Sequence, residues 1–216
     1  MHLRLLLDSA DPVAWRHWLP TGLFHGITTN PTLLKRAGVA CDLASLRTLT
    51  QEALALGVEE LHLQAWGRDP LSCGRALADL APDRIWIKLP LTAPGIEAGR
   101  SLHADGVPVT FTACYEPSQV LLAAALGVEY VAPYLGRICD RGRDGHAEVI
   151  RMQRCVDRLG SPLRLLVASL RQREDLARLA AEGLNTFTIS PDMAEQLLAV
   201  EATLAAAAQF ELDAAG

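Results

Sequence analysis

The sequence predicts an α/β protein that folds as a single (β/α)8 TIM barrel. Short β-rich runs alternate with amphipathic helical stretches along the whole chain, as expected when helices cover a parallel sheet. Eight such repeats fit a closed barrel, and 216 residues suffice for one domain spanning residues 1–216 with short loops. The predicted strands are residues 3–9, 26–30, 60–66, 85–90, 108–114, 130–135, 163–169 and 186–190.

Capping residues and glycines mark where the intervening helices begin and end. The pairs Asp11-Pro12, Asn30-Pro31 and Ser190-Pro191 each place a capping side chain before a proline at the first helical position. Glycines that can end a helix before the next strand are Gly38, Gly57, Gly106, Gly127, Gly160 and Gly183. The alanine-rich end, residues 203–212, predicts one extra helix after the barrel closes.

Composition and charge exclude several classes of protein. The net charge is -5 with both signs scattered, so the sequence offers no footprint for nucleic acid or an anionic membrane. No basic start precedes an apolar stretch and no apolar run is long enough to span a membrane, which predicts a soluble cytoplasmic protein. The five cysteines form no CxxC pair and are expected to be reduced, and the six histidines lack metal-ligand spacing, so no metal is expected.

Alternate strand residues face opposite sides of a sheet, and this divides the predicted strands into two sets. The apolar set fits a surface covered by helices: Leu3, Leu5, Leu7, Leu61, Leu63, Ala65, Ile85, Ile87, Leu89, Val109, Phe111, Ala113, Leu166, Ala168, Phe187 and Ile189. The polar residues of the other set lie toward the C-terminal strand ends: Asp8, Asn30, Gln64, Lys88, Thr112, Tyr134, Ser169 and Ser190. Active sites of this fold lie at that face, so we expect these side chains to converge on one cavity.

Lys88 is the charged residue of the apolar run Ile85-Trp86-Ile87-Lys88-Leu89-Pro90. An ammonium facing the barrel interior is costly to desolvate. One interpretation is a structural ion pair with Asp8. The other is a nucleophile: apolar neighbours, with Trp86 one layer below, favour the neutral amine that attacks a carbonyl and forms an imine.

Other inward residues supply what carbon–carbon bond cleavage beside an imine requires. Asp8 can accept the proton of the departing hydroxyl, and Tyr134, Gln64 and Thr112 can hold a water for proton transfer. Each of these three residues also fits an ordinary role: Tyr134 can fill the core with its hydroxyl satisfied, and a lone inward Gln or Thr is more often a buried hydrogen-bonding group than a catalyst.

An anion site is indicated where strands meet helix starts. Asn30, before Pro31, and Ser169, in a Ser-x-x-Gln spacing, both fit helix caps, and a cap at the barrel top is compatible with binding phosphate. Arg137 and Arg171 follow the sixth and seventh strands and can complete such a site, although either alone fits a solvated surface arginine.

These residues lie in segments that resemble the transaldolase family, especially its short members, which include fructose 6-phosphate aldolase. The resemblance covers essentially the whole chain, in family order. The matching segments are Leu6-Leu7-Asp8-Ser9, Gly26-Ile27-Thr28-Thr29-Asn30-Pro31, Ile87-Lys88-Leu89-Pro90-Leu91-Thr92 followed by Gly95, Ala132-Pro133-Tyr134-Leu135-Gly136-Arg137-Ile138, and Ala168-Ser169.

The resemblance implies a class I aldolase that needs no cofactor and acts on sugar phosphates through a dihydroxyacetone unit. Lys88 would form the Schiff base, and Asp8 would handle the proton of the sugar hydroxyl. Asn30, with Thr28 of the same segment, would bind the three-carbon unit. Arg137 and Ser169, with Arg171 nearby, would hold the phosphate of a substrate such as glyceraldehyde 3-phosphate.

Two positions bear on the reaction type. Transaldolases usually have Glu and Phe where this chain has Gln64 and Tyr134, whereas fructose 6-phosphate aldolases resemble it at both positions. With Gln64, Tyr134 and Thr112 arranging water, the resemblance implies release of free dihydroxyacetone, that is, reversible cleavage of fructose 6-phosphate. Trp66 departs from the family pattern near the barrel mouth, as does the charged segment 140–144.

Three alternatives remain at this stage. The chain could be a transaldolase that moves the same unit between sugar phosphates, a non-catalytic sugar-phosphate-binding protein, or an unrelated barrel such as a sugar-phosphate isomerase, for which a catalytic Glu or an Asp pair would be expected.

Short family members also form rings of identical subunits, often ten, in which the last helix clasps a neighbour. The resemblance therefore implies a homo-oligomer, a pentamer or decamer, with residues 203–212 in that role.

Overall fold

The computed structural model describes residues 2–216 and contains eight strands in one parallel sheet. The strands are β1 (Arg4–Asp8), β2 (Gly26–Thr28), β3 (Glu60–Gln64), β4 (Ile85–Pro90), β5 (Val109–Cys114), β6 (Tyr130–Pro133), β7 (Arg164–Leu165) and β8 (Thr186–Ile189). Each lies beside its neighbours in sequence, in the order β7-β6-β5-β4-β3-β2-β1-β8. A bridge between Val167 and Phe187 joins the two ends of this order, so the sheet closes into the predicted (β/α)8 barrel.

Helices follow the strands and cover the outside of the barrel. They are α1 (Pro12–Trp18), α2 (Pro31–Arg36), α3 (Leu43–Ala55), α4 (Pro70–Ala78), α5 (Ala93–Ala104), α6 (Pro117–Leu126), α7 (Leu135–Cys139), α8 (Gly145–Arg158), α9 (Arg173–Ala181), α10 (Pro191–Leu198) and α11 (Glu201–Ala214), with a 3-10 turn at Leu19–Thr21. None of the helices in residues 2–216 is both long and apolar enough to cross a membrane.

The predicted helix boundaries are confirmed. Asp11, Asn30 and Ser190 each cap a helix by accepting hydrogen bonds from backbone N–H groups of its first turn. All six glycines predicted to end helices have positive φ, for example 72° at Gly127, a left-handed conformation that other residues adopt at a cost.

The main hydrophobic core lies between the strands and the helices. It contains Leu7, Ile27, Leu63, Ile87 and Phe111, together with helix residues that pack on them. A second, smaller cluster fills the inside of the barrel and consists of Leu6, Tyr130, Ala132 and Leu166, with Trp86 and Tyr134 packed against it. The barrel is therefore closed below its C-terminal face.

The predicted orientation of the seventh strand is wrong. Leu166 and Ala168 were expected to face the helices, but Leu166 belongs to the inner cluster and Ala168 bridges Tyr134 on the inner side. The alternation itself holds from Leu165 to Ala168, because Leu165 and Val167 lie in the outer core. It breaks at Ser169, whose left-handed φ of 61° leaves Ala168 and Ser169 both on the cavity wall, so the parity counted back from Ser169 was inverted. The prediction for Leu3 is also wrong, since it precedes β1 and is 61% exposed.

The C-terminal helix forms as predicted but makes little contact with the barrel. α11 has no buried residue, and its apolar side chains Leu204, Phe210 and Leu212 are exposed. A helix with this much exposed apolar surface is typical of a segment that packs against another surface.

Candidate active site

A cavity of about 420 Å³ opens at the C-terminal ends of the strands. Its walls are formed by Asp8, Thr28, Asn30, Pro31, Thr32, Leu33, Arg36, Gln64, Lys88, Ala132, Tyr134, Arg137, Leu166, Ala168, Ser169 and Thr188. Most of the polar residues expected to converge at this face do so. Ser190 does not, because β8 ends at Ile189 and the Ser190 side chain caps α10 in an exposed position.

Lys88 lies on β4 with its amine inside the barrel, where the residue is only 5% exposed. Its Nζ donates a hydrogen bond to the backbone oxygen of Thr29 at 2.7 Å. Burial lowers the pKa of Lys88, and the nearby Asp8 carboxylate opposes this effect. No carboxylate within residues 2–216 lies within 4.0 Å of the amine, which argues against the structural ion pair considered from sequence.

Asp8 ends β1 and borders the same cavity. Its Oδ1 accepts a hydrogen bond from Thr28 Oγ1 at 2.7 Å, and Thr28 Oγ1 lies 2.5 Å from Thr188 Oγ1. Thr188 can donate to Thr28 while Thr28 donates to Asp8, so the two threonines fix the carboxylate and leave its other oxygen free. The arrangement provides a base that faces the amine across the cavity.

Tyr134 and Thr112 form a pair on the opposite wall. The Tyr134 hydroxyl lies 2.7 Å from Thr112 Oγ1, so Thr112 sits behind Tyr134 while Tyr134 itself faces the cavity. Burial raises the pKa of Tyr134; the Thr112 hydrogen bond opposes this and the Asp8 carboxylate adds to it. The phenol therefore stays protonated at neutral pH, and with Gln64 it gives the cavity two neutral hydrogen-bonding groups.

A strained residue precedes this wall. Ala113 has φ 57°, an uncommon value for a residue with a side chain, and the pairing of β5 with β6 shifts between Phe111 and Cys114. After the shift, the Tyr134 N–H donates to the Cys114 oxygen at 3.1 Å. The irregularity turns β5 so that Thr112 meets the Tyr134 hydroxyl and Cys114 joins the outer core.

The other end of the cavity carries Arg137 and Ser169. Gly136 allows the two segments to approach closely, because a Cβ at this position would lie 2.5 Å from the Ser169 oxygen and 2.7 Å from Arg171 Nε. The Gly136 N–H donates to that oxygen at 2.9 Å. Ser169 does not cap a helix, as one interpretation of the sequence held; α9 begins after Gln172, which forms the capping box with Asp175.

Arg171 lies next to this end but is not part of the cavity wall. Its guanidinium makes a bidentate ion pair with Asp140, in which Nη1 lies 2.6 Å from Oδ1. Both side chains are about half exposed. The position of Arg171 is therefore set by Asp140.

Asn30 both caps a helix and borders the cavity. Its Oδ1 accepts hydrogen bonds from the N–H groups of Thr32 and Leu33, which leaves the amide N–H groups free to donate. Capping and binding are compatible here, as the sequence suggested.

Three polar wall residues, Thr32, Arg36 and Thr188, were missed from the sequence. Thr188 has the inward parity of β8 and would have been found if the strand end had been placed one residue earlier. Arg36 shares a helix face with Thr32, a spacing of four residues that points to the same cavity. Trp66 is partly buried against the outer core and does not line the cavity.

Comparison with solved structures supports the fold alone. A thiamine phosphate pyrophosphorylase from Pyrococcus furiosus superimposes with a TM-score of 0.59, covering 87% of this chain and 85% of that one, at 13% sequence identity. The similarity shows the same architecture without bearing on the reaction.

Comparison with sequences identifies the family. The profile described as transaldolase/fructose-6-phosphate aldolase matches residues 69–215. A probable transaldolase of Caulobacter sp. (strain K31) is 32% identical over 99% of this chain and 97% of its own length. Those of Rhodospirillum centenum and Phenylobacterium zucineum are 32% and 30% identical, over 98% of this chain and 90% and 96% of their own lengths. The chain therefore belongs to the transaldolase/fructose-6-phosphate aldolase family and is an enzyme of that family.

Proposed function

We propose that this enzyme is a class I aldolase that forms a Schiff base between Lys88 and a ketose phosphate. The observation that carries the proposal is the Lys88 amine: it is buried, its pKa is lowered, it has no carboxylate partner within 4.0 Å in residues 2–216, and it borders a cavity. Burial favours the neutral form of this amine, and the neutral form is the nucleophile that attacks a ketone.

The cleavage step follows from the positions of Lys88 and Asp8. The amine attacks the ketone carbon and water leaves, which gives an iminium ion. Asp8 accepts the proton of the hydroxyl on the carbon two positions from the iminium carbon. The bond between that carbon and the carbon next to the iminium breaks, the hydroxyl-bearing carbon leaves as an aldehyde, and the electron pair is held as an enamine on the three-carbon unit. Thr28 and Thr188 hold Asp8 in place, and the free amide N–H groups of Asn30 are available to the hydroxyls of that unit.

We further propose reversible cleavage of fructose 6-phosphate to dihydroxyacetone and glyceraldehyde 3-phosphate as the reaction. The proton on Asp8 can return through a water held by Tyr134 and Gln64, with Thr112 orienting the Tyr134 hydroxyl at 2.7 Å. Protonation of the enamine carbon and addition of water to the iminium then free the dihydroxyacetone. The neutral pair of Gln64 and Tyr134 favours this outcome.

The second candidate is transfer of the dihydroxyacetone unit to another aldose phosphate. It is favoured by the relatives, which are named probable transaldolases. A rate measured with and without an added acceptor aldehyde separates the two, because only a lyase turns over without one.

The phosphate is assigned to the end of the cavity that contains Arg137 and Ser169. The Arg137 guanidinium and the Ser169 hydroxyl suit a phosphate group. Arg36 borders the same cavity from α2, which follows β2, and makes no ion pair within the part of the chain described. Arg171 could join Arg137 and Ser169 only by giving up part of its ion pair with Asp140.

We also propose that α11 packs against a second copy of the chain, as expected for a homo-oligomer with five or ten subunits. The exposed apolar residues of α11 support this. Light scattering on the eluting protein gives the mass of the assembly, and a monomer at micromolar concentration would contradict the assignment.

The chain offers a clean test of the Schiff base because it contains only two lysines, Lys35 and Lys88. After incubation with fructose 6-phosphate or dihydroxyacetone and reduction with borohydride, intact-mass spectrometry should show one dihydroxyacetone-sized adduct, and peptide mapping should place it on Lys88. The adduct should be absent from Lys88→Ala and unchanged in Lys35→Ala, an exposed lysine of α2. Absence of the adduct in wild type with both sugars would reject the mechanism.

A further inference from the structure

The segment 140–144, which connects α7 to α8, carries four charged residues beside the cavity. Three of them have evident local roles. Asp140 pairs with Arg171, Asp144 caps α8 by accepting from the Ala147 N–H at 3.0 Å, and Arg143 pairs with Glu116 and with Glu148 at 2.7 Å. Arg141 makes no ion pair within residues 2–216, so its position requires another explanation.

Arg141 lies over an aromatic ring. Its guanidinium carbon is 4.4 Å from the centroid of the Tyr115 ring, well within the range of a cation–π interaction. The Tyr115 ring in turn meets the Tyr134 ring edge-on, with centroids 5.8 Å apart and planes at 68°. The three side chains form a row that runs from the surface to the cavity wall.

Tyr115 is also fixed through its backbone. Its N–H donates to Gln119 Oε1 at 2.8 Å, and its oxygen accepts from Arg143 Nη1 at 3.3 Å. These bonds hold the Tyr115 backbone, and the ring is held by its contacts with Arg141 and Tyr134. Arg141 closes its outer face, and Tyr134 occupies its inner edge.

These contacts restrict the position of the Tyr134 hydroxyl. Thr112 fixes the hydroxyl from one side at 2.7 Å, but one hydrogen bond does not fix the plane of the ring that carries it. Contact with Tyr115 removes that freedom. In a proton transfer through a bound water, a displacement of a fraction of an ångström changes the rate strongly.

We propose that Tyr115 and Arg141 are positioning residues that hold the Tyr134 hydroxyl in place for protonation of the enamine. The inference rests on the proposed function, because it assigns the proton transfer to Tyr134. It predicts a selective effect: formation of the Schiff base at Lys88 does not depend on the row, whereas delivery of a proton to carbon does.

Exchange of hydrogen at carbon isolates this step. When dihydroxyacetone is incubated with the enzyme in D2O, each cycle of enamine formation and protonation places deuterium on the carbon, and mass spectrometry gives the rate without any acceptor or cleavage. The adduct trapped by borohydride is measured in the same samples. We expect Arg141→Ala and Tyr115→Leu to slow exchange about 5- to 10-fold, with the trapped adduct within twofold of wild type.

Conservative and control variants sharpen the test. Tyr115→Phe keeps the ring and should exchange within twofold of wild type, and Arg141→Lys should recover part of the loss. Arg154→Ala removes an exposed arginine of α8 that pairs with Glu182 at 3.5 Å and has no part in the row, and it should leave both exchange and trapped adduct unchanged. Thermal unfolding confirms that each variant is folded; Arg141 is exposed, so its replacement should leave the core intact.

Three results would overturn the inference. Exchange at the wild-type rate in both Arg141→Ala and Tyr115→Leu would show that the row does not position Tyr134. A parallel fall in exchange and in trapped adduct would show that it only shapes the cavity. No adduct in wild type would refute the proposed function itself, and the inference would fall with it; measuring the wild-type adduct first keeps these failures distinct.

Discussion

The inside of the barrel contains two polar regions that use similar side chains in opposite ways. One surrounds Lys88 at the C-terminal end. The other, which we call the floor, lies at the N-terminal end and consists of Arg4, His25, Glu60, His62, Thr110 and Tyr130. Both regions are enclosed by the same strands, so the difference between them reflects how the polar groups are partnered.

In the floor the polar groups satisfy one another. Glu60, 4% exposed, accepts hydrogen bonds from Arg4 at 2.7 Å, His25 at 2.9 Å and Tyr130 at 2.8 Å. His62 lies 3.2 Å from Glu60 through Nε2 and 2.9 Å from Thr110 through Nδ1. A carboxylate only accepts, so Nε2 carries the proton and Nδ1 accepts from Thr110. Burial lowers the pKa of His62, which keeps the ring neutral.

Around Lys88 several polar groups have hydrogen-bonding atoms without a protein partner in residues 2–216. Neither the Gln64 amide nor the Arg137 guanidinium hydrogen-bonds to another group in residues 2–216, and one oxygen of Asp8 is free. Open hydrogen-bonding capacity facing a cavity favours binding and chemistry, whereas closed networks favour stability. Three experiments test this contrast.

The largest expected effect is that of Lys88→Met on activity. Loss of the nucleophile should reduce turnover by a factor on the order of 10⁴ or more. The lowered pKa of Lys88 means that folding disfavours its charged form, so removing the amine takes away a cost in stability, and the variant should unfold at the same or a higher urea concentration. A clear loss of stability would mean that Lys88 has a structural role after all.

The next effect belongs to the floor and appears in stability. Burial alone would raise the pKa of Glu60, but hydrogen bonds from His62, His25 and Tyr130 lower it to about 2. The stabilising effect is therefore full above the ordinary pKa near 4.5 and is lost as the pH falls toward 2. Glu60→Gln should cost about 3 kcal/mol at pH 7, with activity per folded molecule within about twofold of wild type.

Urea unfolding at several pH values measures this, with Glu59→Gln as the matched control. Glu59 is the neighbouring glutamate, with a side chain that is 67% exposed, and its replacement should change stability by less than about 0.5 kcal/mol. Between pH 5 and pH 2, wild type should lose about 3 kcal/mol more than Glu60→Gln. Equal pH dependence of the two proteins would refute the assignment of Glu60.

The smallest expected effects compare Arg137, which makes no ion pair within residues 2–216, with Arg171, which is paired with Asp140. Arg137→Ala should raise KM for fructose 6-phosphate about 10- to 30-fold, the cost of a charge-assisted hydrogen bond to phosphate. Arg171→Ala should raise it less than about threefold, because Arg171 is engaged by Asp140 at the surface. Neither change should affect the adduct formed from dihydroxyacetone, which has no phosphate. The reverse order would place the phosphate nearer Arg171.

Much of the fold followed from local rules. Helix starts at Asp11, Asn30 and Ser190 were predicted because capping is encoded by adjacent residues, and the sheet was predicted because alternation has a fixed period. The predictions failed where the backbone departs from that period. Ser169, with φ 61°, borders the cavity although Ala168 before it does so too, and Ser190 lies beyond the last residue of β8.

The residues that meet at the cavity could be predicted from the sequence to a similar extent. Inward parity at strand ends identified Asp8, Gln64, Lys88 and Tyr134, all of which border the cavity. Parity could not identify Arg36, because it is on a helix whose orientation depends on packing. The roles of these residues in catalysis stay predictions until the adduct and exchange measurements are made.

By itself, the sequence determined the barrel, the family and the position of a lysine among polar strand ends, because periodicity, capping and motif spacing are local properties of the chain. Only the tertiary structure decided how the polar groups are partnered. Glu60 and Asp8 are both carboxylates on inward strand positions. Glu60 accepts hydrogen bonds from three side chains, on β1, on β6 and in the segment before β2, whereas one oxygen of Asp8 has no partner in residues 2–216. Partners brought together from distant strands set that difference, and strand alternation carries no information about them.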